Sequence, residues 1–209
     1  MEYVSIILTV ALIHLLAVMS PGIDFAMITR NSLTYSRRTG VYSAIGLGLG
    51  VIVHLTYCLL GIALIISQSI VVFSFIKLIG SGYILYLGYK SLTSKPSHTA
   101  IHAQQQTTDI SRLKALRIGF LTNVLNPKVT LFFLSLFTLV ISPSTPLWVK
   151  LFMGAEMSIV TALWFAFVAF LVSHHFVKSR FQKIQHIAEK FIGVVLIGLG
   201  IKVALSTIK

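Results

Sequence analysis

The chain has 209 residues, of which 56% are hydrophobic and 11% are charged, and its mean hydropathy is +0.91. A soluble domain carries about 25% charged residues, so this composition excludes an ordinary soluble enzyme and predicts an integral membrane protein. The formal net charge of +12 does not indicate a nucleic-acid partner, because the basic residues lie between apolar runs and not together on one soluble surface.

Six segments of the chain are apolar for long enough to cross a bilayer, which takes about 20 helical residues. They are, as spans one to six, residues 3–29, 39–66, 70–89, 118–141, 147–173 and 191–208. The polar residues between spans three and four read as a solvent-exposed linker. We therefore predict an all-α membrane protein with one transporter domain, residues 1–209. It comprises a first repeat at 1–92, a cytoplasmic linker at 93–116 and a second repeat at 117–209.

The lysine and arginine residues are distributed unevenly between the two sides of the predicted spans. Twelve of them follow spans one, three and five, and four lie on the opposite side, with Lys128 inside span four not counted. Because cytoplasmic loops carry the excess of basic residues, this bias places the linker inside and both termini outside.

An internal repeat relates the ends of the two halves of the chain. The sequence KLIGSGYILYLGYKSL, which begins at Lys77, is similar to KFIGVVLIGLGIKVAL, which begins at Lys190. Each half contains three spans, and an odd number of spans inverts the second copy relative to the first. Inverted repeats with interrupted helices recur among transporters, so we expect two inverted three-helix repeats.

Two spans are interrupted by proline. Pro21 breaks span one within AVMSPGIDFAMITR, and Pro127 breaks span four within FLTNVLNPKVTLFF. Proline removes a backbone donor, and freed backbone groups are tolerated in a membrane only where protein or a wet cavity surrounds them. Pro21 lies nine residues before Arg30, and Pro127 lies ten residues after Arg117. The two breaks are therefore expected at similar depth, facing each other across a pseudo-two-fold axis.

Each break carries one charge, and span five carries another. Asp24, Lys128 and Glu156 are costly in a bilayer unless they neutralise one another or contact a polar ligand. One interpretation is that the prolines are ordinary kinks and that Asp24 pairs with Lys128 for packing. The other is a binding site for a zwitterion or cation. Its candidate residues are Ser20, Pro21, Gly22, Asp24, Asn123, Asn126, Pro127, Lys128 and Glu156.

The motifs SPGID at 20–24 and NVLNPK at 123–128, with six spans and a basic linker, resemble the LysE/RhtB family of bacterial amino-acid exporters. The resemblance implies secondary active efflux of an amino acid, such as lysine, threonine, homoserine or leucine, across the bacterial inner membrane, coupled to proton entry. No cofactor is expected, and the charge bias then makes both termini periplasmic. The family motif has a second proline where this chain has Ile23. This chain therefore keeps one more backbone donor, and the first break is expected to be softer.

Several groups are candidates for carrying the coupling proton. Asp24 and Glu156 are membrane-embedded carboxyl groups, and His54 lies mid-way along span two. A hydrogen-bonded packing role for His54 is the alternative. His14 lies seven residues before Pro21, nearly two helical turns away on the same face. No cysteine or carboxylate cluster accompanies the histidines, so no metal site is expected.

Three other functions stay open at this point: a transporter or channel for another small solute such as a metal cation, a membrane-embedded enzyme, and a structural scaffold. The glycines Gly46, Gly48 and Gly50 have no strand before them, so they favour close helix packing over a nucleotide loop. Their pattern fits packing within one chain or between the two copies of a homodimer. The expected partners are thus an amino acid, protons and the lipid bilayer, without nucleic acid.

Overall fold

Six helices make up the continuous parts of the computed structural model, which describes residues 2–68, 108–140 and 145–173, with separate helical positions within 78–93 and 190–201. No strand occurs in these ranges. In chain order the helices are α1 Glu2–Met19, α2 Ile23–Thr34, α3 Arg37–Gln68, α4 Arg112–Val124, α5 Pro127–Val140 and α6 Leu147–Val172.

Two of these helices contain an unbroken stretch that is long and apolar enough to cross a membrane, Arg37–Gly61 and Leu147–Val172. Two helix pairs meet the same test as bent units: α1 with α2, at 55°, and α4 with α5, at 56°. The described residues thus contain up to four spans, and the all-helical, multi-pass prediction is confirmed to that extent. Most of predicted spans three and six lie outside the described residues, so the six-helix inverted repeat stays a prediction.

The first break follows from the chemistry of three consecutive residues. The last backbone bond of α1 runs from Ser20 N to the Leu16 carbonyl at 3.2 Å, and Pro21 has no N–H to continue it. Gly22 is extended, with φ −176° and ψ −163°. α2 then begins, and its first backbone bond joins Ala26 N to the Gly22 carbonyl at 3.0 Å.

The second break has a different local cause. Pro127 is the first residue of α5, a position where its missing N–H would have no helical partner in any case. Asn126 precedes it, and its side-chain oxygen accepts the Lys128 backbone N–H at 3.0 Å. Asn126 therefore caps α5 as a side-chain acceptor, and the break is built by an Asn-Pro pair.

Close approach of backbones holds α3 against its neighbours α4 and α6. A Cβ atom added at Gly46 would lie 2.1 Å from the Leu116 carbonyl oxygen, and one at Gly119 would lie 1.9 Å from the Ser43 carbonyl oxygen. A Cβ at Gly48 would lie 2.7 Å from a carbonyl oxygen of α6. The predicted glycine-mediated helix packing is therefore confirmed, and it lies within one chain.

Gly119→Ala is expected to destabilise the protein by about 1–3 kcal/mol, because the new methyl group would meet backbone that cannot rotate away. Gly61→Ala is the matched control, since a Cβ there meets nothing within 4 Å. Thermal unfolding of both variants in detergent measures the difference. Equal melting temperatures for the two variants would contradict this packing.

The buried apolar residues form two clusters. The first cluster includes Ile13 of α1, Val51 of α3 and Met157 of α6. The second includes residues of the same bundle closer to the other end, among them Leu47 and Phe165. Along α6, the buried Thr161 lies between Met157 of the first cluster and Phe165 of the second.

Opposite ends of the bundle differ in composition. At one end, Tyr3 of α1 and Trp148 of α6 pack edge to face, with ring centroids 6.1 Å apart. At the other end, the Arg37 guanidinium lies 4.8 Å from the centroid of the Phe170 ring. Arg112 lies 5.6 Å from the centroid of an α3 tyrosine ring. Tyrosine and tryptophan side chains anchor membrane proteins at the membrane–water interface, and arginine side chains are enriched on the cytoplasmic side. The two ends of this bundle have the residues that these rules predict.

Helical structure begins within the segment that was predicted to be the linker. α4 starts at Arg112, inside the range assigned to the linker, because Ser111 caps it by accepting the Lys114 N–H at 3.3 Å. Just before it, the Asp109 carboxylate accepts the Ser36 hydroxyl at 2.5 Å and also the Thr39 hydroxyl. Asp109 therefore fastens the end of the linker to the turn between α2 and α3.

The attachment at Asp109 is expected to depend on pH. Partial desolvation acts to raise the pKa of Asp109, but hydrogen bonds from Ser36, Thr39 and the Ile110 N–H, with the nearby Arg38 charge, lower it overall. A lowered pKa in the folded state means that the attachment stabilises the protein above the ordinary value of about 3.9 and is lost as the pH falls through the folded value.

Asp109→Asn should therefore melt below the unmodified protein at neutral pH, because it lacks the ionised acceptor. The gap between the two melting temperatures should shrink as the pH falls below the ordinary carboxyl pKa of about 3.9, and it should close as the pH passes the lower pKa of the folded state. Thermal unfolding across a pH series measures it. A gap that stays constant down to the acid limit would show that ionisation of Asp109 contributes nothing.

Candidate functional site

A cavity lies where the two helix breaks meet α1, α3 and α6. Its empty space, counted out to its open mouth, is about 510 Å³. Its lining includes Ser20 and Gly22 from the first break, Asn126 and Lys128 from the second, and Asp24 at the start of α2. The structure thus brings both breaks to one cavity.

The Asp24 carboxylate is held by two amides from the second half of the chain. Its Oδ1 accepts Asn126 Nδ2 at 2.9 Å, and its Oδ2 accepts Asn123 Nδ2 at 3.1 Å. All three side chains are buried. An ionised carboxylate offers about four acceptor positions, so two amide bonds leave acceptor capacity for a ligand.

Lys128 makes the reciprocal connection, from the second break to the first. Its Nζ donates to the Ser20 carbonyl at 3.0 Å and to the Pro21 carbonyl at 3.4 Å. Proline ends α1 there, so these carbonyl groups have no helical N–H, and a cation at a helix C-terminus is also favoured by the helix dipole. Backbone oxygen atoms therefore contribute to stabilising the lysine charge, and amides to stabilising the aspartate.

His54 lies beside the cavity and not in its lining. Its Nε2 donates to the Asn123 carbonyl at 3.1 Å, and its Nδ1 accepts the Tyr57 hydroxyl at 2.6 Å. Because a carbonyl can only accept, the hydrogen-bond network assigns the proton of the neutral ring to Nε2. The ring also stacks on Phe133, with centroids 5.5 Å apart. His54 thus positions the backbone that carries Asn123, one of the two amides on Asp24.

The sequence groups Glu156 with Asp24 and Lys128 in one candidate site, but the structure places Glu156 elsewhere. It is half-buried on α6 and is not among the residues that line the cavity. Thr161 and Phe165, four residues apart on one face of α6, do line it. Glu156 precedes Thr161 by five residues, which turns it about 140° around the helix. The structure therefore does not bring Glu156 into the cavity that Asp24 and Lys128 line.

The prolines themselves act through the backbone. Pro127 begins α5, and its side chain is not part of the cavity lining. Pro21 contributes its carbonyl oxygen to Lys128. Both α2 and α5 begin at the cavity, so the positive ends of two helix dipoles point to one place.

A cavity between two interrupted helices, with a carboxylate and an ammonium group in its wall, is an arrangement typical of transporters. The family model described as LysE type translocator matches residues 15–207. The chain belongs to the LysE-type translocator family. Its members are membrane translocators and not enzymes, and the resemblance inferred from the sequence motifs is confirmed.

Relatives of similar length support this assignment. The translocator is 28% identical over 200 residues to the threonine efflux protein of Escherichia coli K12, covering 95% of this chain and 97% of that protein. It is also 28% identical over 196 residues to the Bacillus subtilis membrane protein YrhP, covering 90% of this chain and 93% of the relative. No solved structure matches the chain.

Sequence reasoning missed part of the translocator's cavity wall. Thr161 Oγ1 lies 3.2 Å from His14 Nε2, and both residues line the cavity. Phe132 and Phe133 of α5 complete an apolar wall beside them. A threonine in an apolar span gives no signal of its own, because only the packing of α6 against α1 shows that it faces inward. His14 gave a partial signal, since it shares the face of α1 that leads to Pro21.

Proposed function

We propose that this translocator exports an amino acid from the bacterial cytoplasm by secondary active transport coupled to proton entry. The observation that carries the proposal is that Asp24 and Lys128, from two separate helix breaks, line one cavity. A free amino acid has an ammonium and a carboxylate group, so a wall with one charge of each sign matches it. The threonine efflux proteins among the relatives support an amino-acid cargo.

The charges of the wall suggest a binding pose. The substrate ammonium is expected against Asp24, which has acceptor capacity beyond its two amide bonds. The substrate carboxylate is expected on the side of Lys128 and the N-terminus of α5, where positive charge and the helix dipole attract an anion. In this pose, opposite charges meet in a poorly hydrated site, where their attraction is stronger than in water.

Competition at Asp24 offers a physical route to coupling. The ionised carboxylate attracts the ammonium group of the substrate, and a proton on the same carboxyl removes that attraction. Entry of a proton from the outside would therefore release the amino acid, and loss of that proton to the cytoplasm would restore the site. We assign the coupling role to Asp24 in preference to Glu156, because only Asp24 lines the cavity.

The wider architecture of the proposal has six spans in two inverted repeats, which rock about the cavity to expose it to each side in turn. The arginine-rich end of the bundle would face the cytoplasm, in agreement with the charge bias of the sequence. The aromatic end, with Tyr3 at the start of α1, would face the periplasm, and both termini would lie on that side of the inner membrane.

The test is exchange by purified protein in liposomes. Liposomes loaded with each amino acid in turn are assayed for release of label, with and without an imposed pH gradient. The proposal predicts release of at least one amino acid, faster when protons can enter in exchange and slower when a protonophore collapses the gradient. Release of a metal cation with no amino acid above protein-free liposomes would overturn it in favour of the transporter of another solute.

A further inference from the structure

Two arginine side chains from different helices share one tyrosine ring at the arginine-rich end of the bundle. The Arg38 guanidinium of α3 lies 6.0 Å from the centroid of the Tyr42 ring, and the Arg112 guanidinium of α4 lies 5.6 Å from it. Both arginines are exposed, and Tyr42 is half-buried. Two positive charges are therefore held around one aromatic ring, at a place where α3 and α4 meet.

The protein supplies little negative charge to these three residues. In the described part of the chain, the carboxylate near Arg38 is that of Asp109. Its oxygen atoms already accept two hydroxyl groups and one backbone N–H. Neither arginine forms an ion pair with a carboxylate within the described ranges. Because like charges that are held close together repel each other, an anion from outside the chain is favoured between the two guanidinium groups.

An exposed apolar stripe continues from Tyr42 along α3. It consists of Ile45, Leu49 and Ile52, which follow Tyr42 at helical spacing and therefore share its face of the helix. Since α3 contains a stretch that is long and apolar enough to cross the membrane, this face is expected to contact hydrocarbon chains. A cationic group at the head of an apolar stripe matches a phospholipid, whose phosphate is joined to its acyl chains.

We propose that Arg38, Tyr42 and Arg112 bind the phosphate group of an anionic phospholipid, whose acyl chains lie along the exposed face of α3. Guanidinium groups donate paired N–H bonds to phosphate oxygens, and the tyrosine ring holds both of them in place. Phosphatidylglycerol keeps the full negative charge of its phosphate. Phosphatidylcholine also carries a cation, which the two arginines repel, so the site selects lipids by their net charge.

Bound lipid is expected to stabilise the folded protein. A phosphate that contacts both arginines joins α3 to α4, and a ligand that binds only the folded state raises the apparent stability. The effect does not depend on the proposed function, because neither Arg38 nor Arg112 is among the residues that line the cavity. Lipid binding and amino-acid exchange are therefore measured separately, and either one stands if the other fails.

The experiment titrates phosphatidylglycerol into the purified protein in detergent and counts bound lipid by native mass spectrometry. Phosphatidylcholine with the same acyl chains is titrated in parallel. The test variant combines Arg38→Gln with Arg112→Gln. The matched control combines Lys114→Gln with Arg117→Gln, which removes two exposed basic residues of α4 and leaves both contacts with Tyr42 in place.

Binding and stability are expected to change together. The unmodified protein should bind phosphatidylglycerol about fivefold or more tightly than phosphatidylcholine, because the choline cation offsets the attraction. The test variant should bind phosphatidylglycerol about tenfold or more weakly, since two donors to the phosphate are lost, and the control should stay within about twofold. Phosphatidylglycerol should raise the melting temperature of the unmodified protein and of the control, but not that of the test variant.

Three outcomes would overturn the site. The first is equal binding of the two lipids by the unmodified protein. The second is an equal loss of binding in the test variant and the control, which would show that only the total charge of this end matters. The third is a rise in melting temperature with inorganic phosphate as large as that with phosphatidylglycerol, which would show binding of a free anion. If the test variant does not fold, Arg112→Gln decides, with Lys114→Gln as its control.

Discussion

Asp24→Asn is expected to lower amino-acid exchange by about 10- to 100-fold, because it removes the one cavity-lining carboxylate among the described residues. A hydrogen bond to a charged group contributes about 1.5–3 kcal/mol, which corresponds to a loss of this size. The substituted amide also brings an NH₂ group against the side chains of Asn123 and Asn126, which both donate to Asp24. Exchange in liposomes and apparent affinity measure the effect.

Glu156→Gln is the matched control for this variant. It removes the same charge from a residue of α6 that is half-buried and outside the cavity lining. We expect its exchange rate to stay within about twofold of that of the unmodified protein. A carboxylate outside the cavity wall is not expected to contact the substrate, even though it carries the same charge as Asp24. Proton-coupled exchange that survives in Asp24→Asn and disappears in Glu156→Gln would transfer the coupling role to Glu156.

A double variant separates loss of charge from loss of hydrogen bonds. Asp24→Asn combined with Asn126→Asp exchanges the two members of a pair that is 2.9 Å apart, so one donor again faces one carboxylate. Partial recovery of exchange relative to Asp24→Asn is expected, because the negative charge returns to the cavity from the other break. If exchange does not recover although the double variant is folded, then transport requires the carboxylate at the position of Asp24 itself. A displacement of about one hydrogen-bond length would then be enough to abolish its role.

Lys128→Met is expected to reduce both transport and stability. The substitution removes a donor from the carbonyl groups of Ser20 and Pro21, which are part-buried. A fully buried acceptor left unpaired costs about 1–3 kcal/mol, so we expect a loss of stability toward the lower end of that range. It also removes the positive charge that we assign to the substrate carboxylate. We expect exchange to fall by about tenfold or more, together with a lower melting temperature.

Two further lysine variants make this result specific. Lys128→Arg keeps the charge and is expected to retain more stability than Lys128→Met. Lys114→Met removes a lysine that is exposed on α4, and it should leave exchange and melting temperature unchanged. If Lys128→Met exchanges amino acids at the rate of the unmodified protein, then neither the contact between the two helix breaks nor substrate binding depends on the Lys128 ammonium group.

The positions of the breaks were predictable from sequence because their causes are local. Pro21 and Pro127 disrupt backbone bonds wherever they occur in a helix, and counting residues to the flanking arginines placed both at one depth. The close packing at Gly46 was predictable for the same reason, since a missing Cβ permits an approach that other residues prevent.

What sequence could not supply depends on which face of each helix turns inward. Glu156 and Thr161 belong to the same span, yet only Thr161 lines the cavity, because the rotation of α6 is set by its packing against α1 and α3. Nor does sequence show that amides hold Asp24 and that broken-helix carbonyl groups hold Lys128. These contacts join residues of the first half of the chain to residues of the second half, so they are visible only in the folded structure.

Protection of a cavity cysteine by substrate tests the central claim most directly. Both variants are made in a Cys58→Ser background, which removes the one native cysteine. Ser20→Cys then places a thiol in the cavity wall, and Thr108→Cys places one at an exposed site in the linker. With a small thiol reagent, we predict that the transported amino acid slows labelling of Ser20→Cys about tenfold at saturation and leaves Thr108→Cys unchanged. An active Ser20→Cys protein whose labelling rate ignores the amino acid would contradict binding between the two broken helices.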